Sequence, residues 1–241
     1  MRAGVRASKA LVFGGTGAVG SAVLKGLAQA GVPTVFTYHR SIEKAEAMAA
    51  EYSQRAVPID LAEATAIREL VDDLDRDQSA PDLFIHCAAQ SQYLELDGIS
   101  DDAWHRVQRV NAHSAFVACQ ALAPRMAKHG SGHIVLVGAI GRGQSIPLPV
   151  HFAASQGALT ALTMTLGKEL GPRGIRVNMV ALGLLDGGLS REIAPKLVLD
   201  YKNFSALRRV GTPDEAARAI LWLALENTYM NGEVLPVNGG L

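Results

Sequence analysis

Apolar residues in this chain fall into short unbroken runs, separated by longer stretches in which they recur every three or four positions. The runs cover 10–13, 33–38, 56–59, 82–87, 133–138, 175–180 and 234–237, and their length and composition read as strands buried on both faces. Between them the helical period predicts helices over 19–30, 42–52, 62–75, 102–127, 151–170 and 213–226. Strands that alternate with helices are joined by right-handed crossovers and lie parallel. The expected architecture is a doubly wound α/β fold, a parallel sheet of seven strands in a three-layer α/β/α arrangement. No repeat, low-complexity tract or linker divides it, so residues 1–241 are expected to form one domain. The least regular stretch, roughly 183–211, is a candidate substrate loop.

Charge narrows the choice of partner. Lys plus Arg and Asp plus Glu both number 23, so no net field favours nucleic acid or an anionic membrane surface. A small molecule or a protein is expected instead. The basic first ten residues lead into "ALVF", which meets glycine at once. This reads as neither a secretory leader nor a membrane anchor, and a cytoplasmic location is expected. Cys87 and Cys119 lack the spacing of a disulfide framework or zinc site; they read as buried thiols, with no metal expected.

The first chemical motif is "GGTGAVG", placed between the first strand and the first helix. Glycines 14, 17 and 20 permit a tight turn, close approach of backbone N–H groups to a pyrophosphate, and close packing of helix on strand. Gly14, Gly15, Thr16, Gly17, Val19 and Gly20 are therefore candidate cofactor-binding residues, and the domain is read as a Rossmann-type dinucleotide-binding domain. The second strand ends in "TYHRS", where an acidic residue would mark NAD; Arg40 there suits a 2′-phosphate and points to NADP(H). Asp60 and Leu61 follow the third strand as adenine contacts, with a plain helix cap as the alternative for Asp60.

On these residues the chain resembles the short-chain dehydrogenase/reductase family, and within it the β-ketoacyl carrier-protein reductases. The resemblance covers nearly the whole sequence. It rests on "GGTGAVG", "DLFIHCAA", "VNAHSAFVACQALAPRM", "GIRVNMVALG" and "NGEVLPVNGG". Three marks depart from the family's pattern: its Asn-Asn-Ala-Gly is His86-Cys87-Ala88-Ala89, its Pro is Leu182 and its C-terminal Asp is Asn238. The resemblance implies a cofactor contact at Ala88 and a catalytic set of Asn, Ser, Tyr and Lys. Tyr would protonate the carbonyl oxygen as hydride arrives, while Lys lowers the phenol pKa and holds the nicotinamide ribose. Asn111 matches both the catalytic Asn and a cofactor contact. At the other positions stand Phe152 for Tyr, Gln156 for Lys, and Ala139, or Gly138 if the register slips, for Ser.

Acid–base catalysis alone contributes roughly 10²–10⁴ in rate, so ordinary ketone reduction is not expected from this set. His151, beside Phe152, is the speculative replacement acid; His86, Gln144 and Ser145 are further polar neighbours. Helices 103–126 and 151–170 carry apolar residues on more than one face. The resemblance makes them subunit contacts, in a homo-oligomer or in a hetero-oligomer with an active homologue. An acyl carrier protein enters as a partner through the resemblance alone. The preferred reading is a non-reducing partner subunit of a fatty-acid or polyketide-type system. Behind it stand an enzyme repurposed for non-redox chemistry (cyclisation, dehydration or isomerisation) and a ketoreductase with an atypical proton donor.

Overall fold

The computed structural model describes residues 9–139 and 148–241. Most of the basic N-terminal stretch, together with Gln144 and Ser145, lies outside the described residues. The strands are β1 (Ala10–Phe13), β2 (Thr34–Tyr38), β3 (Arg55–Pro58), β4 (Leu83–His86), β5 (Gly132–Ala139), β6 (Ile175–Leu182) and β7 (Val234–Val237). They form one parallel sheet in the order β3-β2-β1-β4-β5-β6-β7. All seven expected strands are present.

Alternation along the strands builds two cores, because successive side chains of a strand point to opposite faces. Leu11 and Phe13 of β1, with Phe84, Ile134, Leu136, Val177 and Met179, pack on one face. They meet α3 (Ala64–Arg76), α5 (Ser114–Lys128) and α6 (Val150–Leu170). Ala10 and Val12, with Ile85, Val135, Val137 and Val180, pack on the other. There they meet α1 (Ala18–Gln29), α2 (Ile42–Tyr52) and α8 (Pro213–Leu225). Helices on both faces are what the near-continuous apolar strands require.

Two expectations need correction. The helix expected over 102–127 is two α segments, α4 (Asp101–Gln108) and α5, joined by a π turn over Arg109–His113. The wider turn brings Asn111 inward, where its side chain holds the loop after β4 instead of continuing a uniform helical face. The stretch expected to be irregular contains α7 (Pro195–Phe204), whose proline occupies the first helical turn. Ahead of it, Leu185 bridges Gly211: Asp186 N–H donates to the Gly211 carbonyl at 2.8 Å and Gly211 N–H to that of Leu184 at 2.9 Å. This latch fixes one side of the site.

Candidate active site

The strand order reverses direction between β1 and β4, and in open α/β sheets ligands bind beyond the carboxyl ends of the strands at that point. A cleft of about 610 Å³ lies there, lined from the β1–α1 turn and the end of β2 across to α6 and the segment after β6.

Its first wall is the glycine loop. Gly14 has φ +75°, and a Cβ added to it would lie 2.7 Å from the Ala88 Cα; only glycine lets this turn pass so close to the end of β4. A Cβ on Gly20 would overlap the Gly14 carbonyl oxygen, so helix and turn close on each other through bare backbone. Lys44 Nζ donates to the Thr16 carbonyl at 2.7 Å, tying α2 to the loop. Gly14, Thr16, Gly17 and Val19 line the cleft, as do Arg40, Leu61 and Ala88. Gly15 and Gly20 shape the loop from behind. Asp60 also lines the cleft, and its carboxylate accepts from Ala62 N–H at 2.9 Å and from Arg106 Nη1 at 2.8 Å. Burial opposes the charge on Asp60, but these bonds outweigh it and hold the carboxyl below its usual range.

The second wall is α6. Phe152 and Gln156 lie one turn apart and both line the cleft, 6% and 2% exposed. Gln156 does not extend into the open space. Its Oε1 accepts from Ala139 N–H at 2.8 Å, and its Nε2 donates to Ser155 Oγ at 3.1 Å. Ser155 Oγ donates to the Phe152 carbonyl at 2.6 Å and accepts from Asn111 Nδ2 at 2.9 Å. Asn111 also clasps Gln90, accepting from its N–H at 2.7 Å and donating to its carbonyl at 2.9 Å. This neutral network joins the end of β5, α6, the π turn and the loop after β4. Asn111 lies behind the lining rather than on it.

The two residues at the end of β5 differ in the room around them. A Cβ on Gly138 would collide with Met179 and lie 2.8 Å from Gln156 Oε1. Ala139, the next residue, lines the cleft.

Neither histidine proposed as a substitute acid reaches the cleft. His86 is fully buried beside Phe13 and Phe84, at ring-centroid distances of 5.9 and 6.2 Å. Ser114 Oγ gives its proton to the Val110 carbonyl at 2.6 Å, so His86 Nε2 donates to Ser114 Oγ at 2.7 Å. Burial pushes the His86 ring down to about 4, so it stays neutral. The β-strand alternation turns His86 into the core and leaves Cys87, the next residue, on the cleft lining. His151 is fully buried, with no partner for either ring nitrogen among the described residues, and burial lowers its pKa. It points away from the Phe152 face, as adjacent helical residues must.

Sequence reasoning missed Ser155, Gln90 and Arg106. Ser155 lies three residues after Phe152, and that spacing was a readable sign of a shared face. Gln90 and Arg106 follow from tertiary contacts with Asn111 and Asp60 that have no local signature. Among the described residues, no helix is long and apolar enough to cross a membrane, and no His, Cys, Asp or Glu group could hold a metal.

Comparison with known proteins places this arrangement. A family model described as enoyl-(acyl carrier protein) reductase matches residues 15–241. The 3-oxoacyl-acyl-carrier-protein reductase FabG of Aquifex aeolicus is 28% identical over 238 residues, 96% of each chain. A short-chain dehydrogenase/reductase from Serratia marcescens BCRC 10948 superposes with a TM-score of 0.89 at 29% identity, covering 97% of each chain. The 3-oxoacyl reductase of Brucella melitensis does so with a TM-score of 0.87 at 26% identity, over 97% of this chain and 90% of that one. With its parallel sheet, glycine loop and cleft in their expected places, the chain belongs to the short-chain dehydrogenase/reductase family and resembles its 3-oxoacyl carrier-protein reductases at about 28% identity.

Proposed function

We propose that this chain is a non-reducing, NADP(H)-binding member of its family that has lost the Ser, Tyr and Lys of the reductases it resembles, and that it acts as a partner subunit beside an active homologue. The observation that carries this reading is the state of Gln156: it is buried and spent on the Ala139 N–H and on Ser155. A side chain so engaged offers neither a cation to depress a neighbouring acid nor an arm to a ribose. Phe152, one turn away, has no proton to give. Hydride transfer to a ketone would leave an alkoxide at a wall that can neither protonate nor solvate it.

The nucleotide half of the cleft fits an adenine dinucleotide phosphate. The glycine cradle and the start of α1 suit a pyrophosphate, and Arg40 suits a 2′-phosphate. When bound, such a cofactor supplies hydride; at 139, 152 and 156 this chain supplies nothing to match it with a proton. Support for a partner subunit comes from Trp104, Phe116 and Met164, 36%, 42% and 42% exposed on α4, α5 and α6. Cys119, Leu122 and Met126 of α5 pack instead into the chain's own core. A fatty-acid or polyketide-type system with an acyl carrier protein, in the cytoplasm, is the setting this reading assigns.

Purification of the tagged chain from its native host tests the partner role. An intact homologue is expected to elute with it in fixed stoichiometry. A chain that elutes alone, or only with itself, would contradict the hetero-oligomeric form of the reading.

A further inference from the structure

Among the charged side chains of the described cleft lining, Asp60 and Arg106 bond directly to each other. They come from separate parts of the chain. Asp60 follows β3, the strand at one edge of the sheet, whereas Arg106 lies on α4, just ahead of the π turn that carries Asn111. The Arg106 guanidinium makes two contacts: Nη1 donates to Asp60 Oδ2 at 2.8 Å and Nε to Gln90 Oε1 at 3.3 Å. Gln90 is itself clasped by Asn111, so the fork is anchored to the network behind Phe152. Asp60 Oδ1 accepts from Ala62 N–H at 2.9 Å. His39 Nε2 stands 3.7 Å from Oδ2, outside hydrogen-bond reach. Each carboxylate oxygen is thereby held by one donor, and the Asp60 and Arg106 side chains, 31% and 32% exposed, still border the open cleft.

An ion pair this exposed adds little to stability, so its place in the cleft matters more than its strength. The sheet order β3-β2-β1 lays out three stations along the lining: the glycine turn after β1, Arg40 after β2, and Ile59, Asp60 and Leu61 after β3. A dinucleotide with its pyrophosphate on the glycine turn and its 2′-phosphate at Arg40 leaves the base on that ribose for the third station. There Ile59 and Leu61 supply apolar surface and Asp60 a negative charge. An ionised carboxylate only accepts, and of its roughly four acceptor sites Ala62 and Arg106 use two. Asp60 can therefore take a further N–H, while it repels a carbonyl oxygen. We propose that Arg106 is a positioning residue for base recognition: it fixes the Asp60 carboxylate so that the cleft selects a 6-aminopurine nucleotide over its 6-oxopurine counterpart. Without the arginine the carboxylate is free to turn into solvent, and the direction on which the selection depends is lost. Burial favours the neutral acid, but the bonds from Arg106 and Ala62 outweigh it and keep the charge in place. The inference rests on the nucleotide-binding part of the proposed function and adds the choice of base to it, whether or not hydride is transferred.

The test is calorimetric titration of the full chain with NADPH and with its analogue in which oxygen replaces the 6-amino group of adenine. The wild type is expected to bind NADPH tighter by about tenfold or more, the penalty for a polar site that meets the wrong group. Arg106→Gln is expected to bring the ratio below about threefold, chiefly by weakening NADPH. Asp60→Asn should do the same, and the double variant should fall no further, because the arginine acts through the carboxylate. Arg109→Gln, an exposed arginine off the lining, is expected to keep the wild-type ratio. A merely structural role for Arg106 would weaken both nucleotides alike and leave the ratio unchanged. Circular dichroism checks folding, and Arg106→Met, which keeps much of the side-chain stem, repeats the measurement if the glutamine variant does not fold. Equal binding of the two nucleotides by the wild type overturns the proposal, as does a folded Arg106 variant that keeps the wild-type ratio, or a double variant that falls below either single change. Saturable binding of neither nucleotide would defeat the nucleotide-binding reading itself, and this inference with it.

Discussion

Gln156 is the residue on which the proposed function turns, because its side chain is engaged by two neighbours, Ala139 and Ser155. Gln156→Leu keeps the volume but leaves the Ala139 N–H without its acceptor. The expected loss is about 1–3 kcal/mol of stability, read by urea denaturation. Restoring chemistry needs more than one change, since residues that act as a unit do not contribute separately. Ala139→Ser, Phe152→Tyr and Gln156→Lys together are expected to give measurable NADPH-dependent reduction of short β-ketoacyl thioesters, and each alone is not. A Tyr at 152 without the Lys keeps a phenol near 10, while a Lys at 156 without the Tyr puts an ammonium beside an apolar ring. A folded, nucleotide-saturated triple variant that stays inert would show that the pocket has also lost its substrate geometry.

At the scale of elements, helix ends are set by chemistry that can be tested singly. The start of α8 is a capping box: Thr212 Oγ1 accepts from Glu215 N–H at 3.2 Å, and Glu215 Oε2 accepts from Thr212 N–H at 2.9 Å. Thr212→Ala is expected to cost about 1 kcal/mol, measured by chemical denaturation, with the cleft unaffected. The strands were legible in the sequence because parallel strands covered on both faces read as unbroken apolar runs. The glycine turn between β1 and α1 was legible because its glycines are required by close backbone approach. The break at Asn111 was not, since π turns answer to tertiary demand and leave the helical period nearly intact. Nor was the orientation of His86. His86 was expected beside the cofactor site; alternation puts it and Cys87 on opposite faces, and only the position of the neighbouring helices decides which one meets the cleft.

The whole molecule carries a pH dependence in its buried histidines. His86 and His133 are 0% and 3% exposed. Burial takes both rings down to about 4, for His133 with help from the Arg176 charge. Between that value and the unfolded pKa near 6.5 the unfolded chain binds more protons, so stability is fully present above about 6.5 and falls as pH drops toward 4. Each ring contributes on the order of 3 kcal/mol across that window. Urea midpoints at pH 7 and pH 4.5 should show the fall, and His86→Asn should reduce it; an unchanged slope would remove His86 from the account. Arg40 belongs to the same scale, because the proposed preference for NADP(H) rests on it. Arg40→Ala is expected to weaken NADP(H) binding at least tenfold while leaving NAD(H) binding unchanged in calorimetric titration.

The central claim is that the nucleotide cleft survives without the means to reduce a ketone. The most direct measurement is NADPH oxidation by the purified chain against short β-ketoacyl thioesters, at a nucleotide concentration that calorimetry on the same sample has shown to be saturating. Saturable NADPH binding with no oxidation above the protein-free rate is the predicted result. Turnover in the ordinary enzyme range of about 1–10³ s⁻¹ would contradict it, and would mean that a proton donor other than residue 152 serves the site.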